Sequence, residues 1–389
     1  MLLLSGTSER RSRLQPRIRA LAKAADFTRL AALLTRHQLF PLLAVRLQAI
    51  LPEAVPPNFR EELARAVDEA SRRGALLEAL ALQLQDDLER HGIPALPLKG
   101  PVLARSLYAD PGLRPAIDVD ILVSGEHLTA AVEIVRQHGY GAPDDLVSRN
   151  GYPWLHYRLR HQGGLPPVEV HWRVHWYETN FARDMLDRSM ETPNGRRPQP
   201  EDELASLLLF FSRDGFLGLR LPVDIATWWD RHHRDYEAPA LDRIAERYSE
   251  LGRALRASAA AVDDLVGVPA AQVISAHGAL GWRSRAAVRL GNWDATGSRD
   301  QMIANLSLVD WLLTPPRRGR DFARRSLIPP RARIEDMYGL DSGARWRARF
   351  WRVAHGPKLL ARHAIALWGV RRGRSWAPLP LSVRGNRSS

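Results

Sequence analysis

The 389-residue chain contains no cysteine. Disulfide bonds and thiolate metal sites are therefore excluded, and the cytoplasm is the expected compartment. The sequence also lacks any apolar run that approaches the length of a membrane span, so no transmembrane segment is expected. Hydrophobic residues make up 45% of the chain and charged residues 25%, which is typical of a globular protein with a sizeable core.

Acidic residues are in the minority. The chain has 43 Asp and Glu against 56 Lys and Arg, giving a formal net charge of +13. Most of this excess belongs to a generally Arg-rich composition, but it favours anionic partners. The basic residues are spread out and are not interleaved with aromatics in a recognisable nucleic-acid-binding module. A small molecule, peptide or protein is therefore favoured over nucleic acid as a partner.

The hydrophobic periodicity predicts an α+β protein whose regions differ in texture. The first region is helical, the second alternates short strands with helices, the third is helical again, and the fourth is an Arg-rich helical extension with a frayed tail from Arg371. Their predicted bounds are 1–92, 93–198, 199–280 and 281–389.

The C-terminal stretch from Arg352 to Arg374 is basic and partly amphipathic. Such a helix can lie on a membrane surface or bind an acidic partner. A helix that packs against the rest of the protein is the favoured interpretation.

Two carboxylates stand in an otherwise apolar segment, Ile117–Val123, which is predicted to be a strand. Because side chains alternate along a strand, Asp118 and Asp120 are expected to share one face. Two neighbouring anions repel each other and are costly to desolvate. A divalent cation such as Mg²⁺ removes that cost and brings phosphates with it.

A third carboxylate comes from a second predicted strand, Pro167–Trp176, in which period two puts Glu169, His171, Arg173 and His175 on one face. Three carboxylates on neighbouring strands can hold two metal ions, and Glu169 can also serve as a general base. An isolated Asp-x-Asp is more often a solvated strand edge, so the assignment depends on its flanks. His171 is expected to be a hydrogen-bonding neighbour of the site, because its spacing to His175 suits zinc binding only on a helix.

The flanking segments supply candidate phosphate ligands. Lys99 and Gly100 stand just before a predicted short helix, where a glycine lets the backbone approach a phosphate and the helix N-terminus offers free N–H groups. Lys99 offers a point charge and Arg114 a planar fork. Asp224, an acid among apolar residues, is expected to cap a helix after Pro222.

These segments together resemble the uncharacterised nucleotidyltransferase family of the DNA polymerase beta-like superfamily. The resemblance is carried by Leu98-Lys99-Gly100, Leu107–Pro115, Asp118-Val119-Asp120-Ile121-Leu122-Val123 and Val168-Glu169-Val170-His171-Trp172, and it extends weakly over residues 25–270. It implies a small mixed sheet with helices packed on one side. It also implies that Asp118, Asp120 and Glu169 bind two Mg²⁺ or Mn²⁺ ions, and that the substrate is a nucleoside triphosphate such as ATP. Lys99 and Gly100 stand where other members of the superfamily have Gly-Ser.

The predicted reaction moves a nucleoside monophosphate from the triphosphate to an unknown acceptor and releases pyrophosphate. Two alternatives remain at this point. A glycosyltransferase could use the Asp-x-Asp pair to bind a nucleotide sugar, but it would need a doubly wound domain ahead of that pair. A non-catalytic binding protein could also be built on the same scaffold.

Overall fold

The computed structural model describes residues 1–143, 153–193, 195–234, 240–269, 280–291, 299–340 and 345–371. These residues fall into two compact units, Met1–Arg213 with Leu219–Gly278, and Asp214–Gly218 with Ala279–Ser389. The division into four regions stays a prediction, and the tail expected to fray lies almost wholly outside the described residues. Within the described ranges, no helix is both long enough and apolar enough to cross a membrane.

The first unit begins with a series of helices that ends two residues before Gly92. Their bounds are α1 Leu2–Ser5, α2 Ser8–Arg13, α3 Gln15–Lys23, α4 Phe27–Arg36, α5 Phe40–Ile50 and α6 Pro57–Arg90. The Asp26 carboxylate caps α4 by accepting a hydrogen bond from the Arg29 backbone N–H. The chain breaks between α4 and α5 at Gln38, which has a left-handed φ of 57°.

Helix α6 sets the position of the acidic segment. It lies against a short 3₁₀ turn, Pro111–Leu113, so closely that a Cβ on Gly112 would fall 2.3 Å from the Ser71 backbone nitrogen. The Asp110 carboxylate fixes this turn by accepting hydrogen bonds from the Gly112 N–H and the Ser71 hydroxyl. The chain leaving the turn therefore starts the acidic strand from a fixed point.

The following strands form a small mixed sheet, as the α+β prediction requires. They are β1 Leu96–Pro97, β2 Val119–Leu122, β3 His156–Leu159 and β4 Val168–His171, with α7 Gly100–Tyr108 and α8 Leu128–Gln137 between them. The strand order is β1-β2-β4-β3, in which β2 and β4 are parallel and the edge strands are antiparallel to their neighbours. The predicted fold class is confirmed.

One face of this sheet is apolar and belongs to the core. Val119 and Ile121 of β2 and Val168 and Val170 of β4 pack with the buried leucines of α6 and the apolar side of α8. Because strand side chains alternate, the intervening residues of both strands point to the opposite face. That second face carries the polar residues of interest.

Further elements of the first unit follow the sheet. They are α9 Phe181–Asp187, β5 Met190–Thr192, β6 Gly195–Arg197, α10 Pro200–Arg213, α11 Arg220–His232, α12 Ala240–Arg247 and α13 Gly252–Val266. Strands β5 and β6 form a separate two-stranded hairpin.

The second unit is helical in its described part. Its helices are α14 Trp282–Leu290, α15 Arg299–Leu313, α16 Gly319–Phe322, α17 Arg331–Tyr338 and α18 Arg345–Arg371. A π-helical segment, Ala323–Leu327, follows α16. The carbonyl oxygen of Ser326 in this segment lies 3.0 Å from Nε2 of His355 in α18.

Candidate active site

The strand register brings two of the predicted acids side by side. Asp120 of β2 is paired with Glu169 of β4, and the next polar-face position pairs Leu122 with His171. Paired residues of neighbouring strands point to the same face, so both carboxylates lie on the face opposite the core. Asp120 is only 3% exposed and Glu169 is half-buried.

Asp118 lies just outside the strand. The predicted strand Ile117–Val123 is shorter than expected, and Asp118 occupies a bend before Val119. Burial raises the pKa of the Asp118 carboxyl, and the negative charges of Asp120 and Glu169 raise it further. Asp118 therefore interacts electrostatically with the other two acids.

His171 joins the two strand carboxylates. Its ring is fully buried, and Nε2 lies 3.0 Å from Oδ1 of Asp120 and 3.4 Å from Oε2 of Glu169. Burial alone would lower the pKa of His171, but hydrogen bonds to Asp120 and Glu169 outweigh it and raise the pKa. The ring of His171 thus lies between the two acids as a hydrogen-bonding neighbour of both.

Lys99 and His171 together keep Asp120 ionised. Nζ of Lys99 lies 3.4 Å from Oδ2 of Asp120, while His171 holds the other oxygen. Burial by itself would raise the pKa of Asp120, but Lys99 and then His171 lower it well below its usual range. Burial also opposes ionisation of Glu169, and the hydrogen bond from His171 lowers its pKa.

The strand that carries Glu169 ends sooner than predicted. Strand β4 stops at His171, so Arg173 and His175 do not continue the polar face, and that expectation is wrong. The cause is Glu178, whose Oε1 accepts hydrogen bonds from the backbone N–H groups of Val174 and His175 and turns the chain. A carboxylate that caps a turn in this way ends the strand because it replaces the ladder partners.

His156 is a site residue that the sequence did not reveal. It lies on β3 opposite His171, and the two rings are 4.5 Å apart between centroids. Nε2 of His156 is 3.5 Å from Oε2 of Glu169. Burial, followed by the nearby charge of His171, lowers the pKa of His156 to about 3 and keeps the ring neutral.

A neutral imidazole is a metal ligand, and the ligand atoms of His156, Glu169 and His171 all lie within 4.8 Å of one another. The site therefore offers two kinds of donor. Its carboxylates suit Mg²⁺ or Mn²⁺, and each ionised oxygen that already accepts one hydrogen bond keeps a lone pair for a cation. Its imidazoles suit a transition metal.

Lys99 and Gly100 lie where β1 turns into α7. Lys99 is the N-cap residue of the helix and Gly100 its first residue, with a left-handed φ of 80°. A left-handed φ at this position suits glycine, because in other residues the Cβ makes this backbone conformation unfavourable. The turn aims the Lys99 side chain back at β2.

Helix α10 supplies a further cation beside the acids. Nζ of Lys99 lies 5.3 Å from the centroid of the Phe210 ring, and the Arg213 guanidinium carbon lies 4.6 Å from the same centroid. Arg213 also donates a hydrogen bond to the carbonyl of Val174. Its positive charge contributes to the low pKa of Asp120. No spacing in the sequence marks Arg213 as part of the site.

Arg114 and Asp224 form a buried ion pair. Nε of Arg114 donates to Oδ2 of Asp224 at 2.8 Å, and the Tyr108 hydroxyl donates to Oδ1 at 2.8 Å. Asp224 lies inside α11, whose N-cap residue is Leu219, so the prediction that Asp224 caps a helix is wrong. The cost of burying the charge of Asp224 is offset by its ion pair with Arg114.

Arg114 keeps one donor unused. Within the described residues, its buried Nη2 has no hydrogen-bond partner. Its pKa is raised, since Asp224 and more distantly Asp120 offset the effect of burial. Arg114 therefore directs its Nε at Asp224, and what it has left to offer a ligand is the buried Nη2 amino group.

The chain is similar to known proteins. A family model described as an uncharacterised nucleotidyltransferase matches residues 23–267. No curated protein matches the chain. Among solved structures, the chain is similar to an antigenic nucleotidyltransferase-like protein from Paracoccidioides brasiliensis, with 19% identity over 46% of this chain and 92% of that one and a TM-score of 0.27.

The family match covers every element of the site. It includes the three acids, both histidines, Lys99 and the Arg114–Asp224 pair, and it confirms the resemblance found in the sequence. The chain belongs to the family of uncharacterised nucleotidyltransferases.

Proposed function

We propose that the protein transfers a nucleoside monophosphate from a nucleoside triphosphate, with ATP as one candidate, to a hydroxyl group of an acceptor. The acceptor oxygen forms a bond to the α-phosphorus, the bond to the β-phosphate oxygen breaks, and pyrophosphate leaves. A small molecule, peptide or protein is the proposed acceptor class, since no nucleic-acid-binding module is evident in the sequence.

A single relationship carries this proposal: Asp120 and Glu169 occupy paired positions on parallel strands, with Asp118 close enough to be affected by both charges. Three partly or fully buried acids grouped in this way repel one another. Their grouping is costly in a protein that has no use for it.

Asp118, Asp120 and Glu169 are the proposed ligands of two divalent cations. Such ions, when bound, steady the negative charge of the phosphates and make the acceptor hydroxyl more acidic. Burial raises the pKa of Asp118 while no cation is bound. A bound cation lowers that pKa again, because a nearby positive charge favours the ionised carboxylate.

Glu169 is the proposed proton acceptor. Its lowered pKa keeps it ionised at neutral pH. Both imidazoles approach Oε2, which leaves Oε1 to take the proton of the acceptor hydroxyl. His171 donates to Asp120 and Glu169 and fixes their directions.

The phosphates are assigned to the cationic side of the site. Lys99 has three N–H donors and uses one direction toward Asp120, so it can also reach a phosphate oxygen. The first turn of α7, which begins at Gly100 with a left-handed φ, offers backbone N–H groups as the second proposed contact, although Pro101 contributes none. The free Nη2 of Arg114 is the third proposed contact.

The decisive experiment compares Asp120→Asn with Asp187→Asn. Each purified protein is incubated with α-labelled ATP, GTP, CTP or UTP, Mg²⁺ or Mn²⁺ and a cell extract, and transfer of label and release of pyrophosphate are measured. We expect wild type and Asp187→Asn, an exposed position on α9, to be equally active, and Asp120→Asn to lose transfer by about 1000-fold or more.

Full activity of Asp120→Asn would refute the assignment. Triphosphate binding without any metal-dependent transfer in wild type would favour the non-catalytic scaffold. The glycosyltransferase alternative has less support, because residues 1–95 are helical and form no doubly wound domain.

A further inference from the structure

Helix α18 in the second unit has two apolar faces. One is buried and includes Ala348, Leu359 and Ala366. His355 on the same face donates from Nε2 to the Ser326 carbonyl at 3.0 Å, and its Nδ1 accepts from the Tyr338 hydroxyl at 2.9 Å. This face explains why the helix packs, as the sequence favoured.

The opposite face is also apolar, although it is exposed. Trp346, Phe350 and Val353 are 70%, 58% and 78% exposed, and Leu360 and Trp368 are each 52% exposed. Successive members of this set are separated by four, three, seven and eight residues, which are the spacings of one helical stripe. An ordinary surface helix carries polar residues there.

Charge on α18 is of one sign. Between Arg345 and Trp368 the helix contains six Lys or Arg residues and no Asp or Glu. The exposed cations flank the stripe on both sides, with Arg345, Arg349 and Arg352 on one flank and Arg347 on the other. A face rich in Trp and Phe, bordered by cations and free of carboxylates, is complementary to an apolar layer beneath anionic groups.

We propose that the exposed stripe of α18 docks the protein on the surface of an anionic lipid bilayer. The helix would lie in the plane of the headgroups, with the stripe entering the acyl boundary and the flanking arginines contacting lipid phosphates and carboxylates. It does not span the bilayer, since no helix in the described residues is suited to that. This assignment is independent of the proposed transfer reaction.

Two features favour lipid over an acidic protein or nucleic acid. Tryptophans stand near both ends of the stripe, and the amphipathic indole is enriched at the headgroup level of membranes. The stripe is also a row of large exposed side chains on a single helix, which a soft surface can accept without a matching groove.

The test is flotation of the full-length protein with vesicles. We expect binding to phosphatidylcholine vesicles that contain about 30 mol% phosphatidylserine, and weak binding to pure phosphatidylcholine. Raising the salt from about 0.1 M to 1 M shortens the screening length from ~10 to ~3 Å and should release most of the protein.

Variants distinguish membrane binding through the stripe from nonspecific adsorption to vesicles. Phe350→Glu with Val353→Glu should lower partitioning about ten-fold or more, because both side chains then oppose insertion. Arg345→Gln and Arg349→Gln should each lower it about five-fold. The matched control is Ile328→Glu, an equally exposed apolar residue outside α18, which should leave binding within about two-fold. Circular dichroism should show that all four proteins keep the fold, since every changed side chain is exposed.

Several results would overturn the proposal. These are no binding to the anionic vesicles, equal binding to neutral ones, or unchanged binding of the Phe350→Glu, Val353→Glu variant. Sedimentation that shows a wild-type dimer dispersed by that variant, without vesicle binding, would assign the stripe to a second copy of the chain. Binding to polyglutamate or RNA but not to vesicles would assign it to an acidic macromolecule.

Discussion

His171 and Asp120 are joined by a buried contact of 3.0 Å between Nε2 and Oδ1, and the same nitrogen lies 3.4 Å from Oε2 of Glu169. One imidazole ring thus bridges two neighbouring carboxylates that repel each other and fixes their rotamers. A residue that holds the ligands of a cation without binding the cation itself typically affects metal affinity and rate together.

Replacing His171 should therefore reduce activity without removing any acid. We expect His171→Leu to lower nucleotidyl transfer about 10- to 100-fold and to raise the Mg²⁺ concentration needed for half-maximal rate. His171→Gln should recover part of both losses, because its amide N–H can reach the position of Nε2. If both variants lose activity equally with unchanged metal dependence, His171 does not position the acids.

The turn at Gly100 gives a prediction with a matched control. Gly100 and Gly92 have φ angles of 80° and 74°, and a Cβ on either would contact nothing within 4 Å. Gly100→Ala and Gly92→Ala should thus each cost about 1 kcal/mol of stability, which denaturant unfolding measures. Only Gly100→Ala should raise the KM for the triphosphate. Equal KM values in both variants would remove the α7 turn from the phosphate site.

Sequence patterns predicted the parts of this site that are local. Asp118 with Asp120, the acid of β4 and the Lys99-Gly100 turn each lie within one short segment, so alternation and turn chemistry reveal them. The sequence did not identify His156 as a site residue, because its position depends on the register of β3 against β4. The two-residue alternation predicted a longer β4 than the structure has. The strand ends earlier because the side chain of Glu178, four residues beyond Val174, caps the chain there.

The Arg114–Asp224 pair was missed for a similar reason. Its members are 110 residues apart, and nothing local marks an acid in an apolar helix as the partner of a distant arginine. Taken alone, Arg114 is predicted to be a phosphate ligand and Asp224 to be a helix cap. Only the packing of α11 beside the acidic segment shows that the two charges are buried together.

That pair can be separated into structural and binding roles. Asp224→Ala leaves the Arg114 guanidinium buried without its carboxylate and should destabilise the protein by about 3–5 kcal/mol. The double variant Arg114→Met, Asp224→Leu removes both charges and should recover most of that stability. We expect it still to bind the triphosphate more weakly than wild type, because Nη2 is lost. Calorimetric binding equal to wild type in the stable double variant would contradict a phosphate contact by Arg114.

The imidazole pair predicts a response to zinc. Imidazole favours Zn²⁺ over Mg²⁺, and His156 is held neutral beside Glu169 and His171. Zn²⁺ should consequently inhibit Mg²⁺-supported transfer and bind the wild-type protein in a calorimetric titration. His156→Phe, which keeps an aromatic ring against His171, should weaken zinc binding about ten-fold or more. Unaltered zinc affinity in this variant would show that the imidazoles do not form a metal site.

Glu178 predicts how stability depends on pH. Its carboxyl is 1% exposed, and burial raises its pKa from 4.5 to about 7, although three backbone N–H groups oppose the shift. A carboxyl whose pKa is higher in the folded state binds its proton more tightly there. Its contribution to stability is then complete below pH 4.5, the unfolded value, and is lost as the pH rises through about 7.

The free energy of unfolding should accordingly fall between pH 5 and pH 8 by about 3 kcal/mol on account of this one group. Glu178→Gln carries no charge at any pH and should flatten that part of the profile, whatever it does to absolute stability. Glu191→Gln, at an exposed position on β5, is the control and should keep the wild-type slope. Urea unfolding of the three proteins at several pH values measures the difference. A slope in Glu178→Gln equal to that of wild type would mean that Glu178 is ionised throughout, held by its backbone donors as an anion that fixes the end of β4.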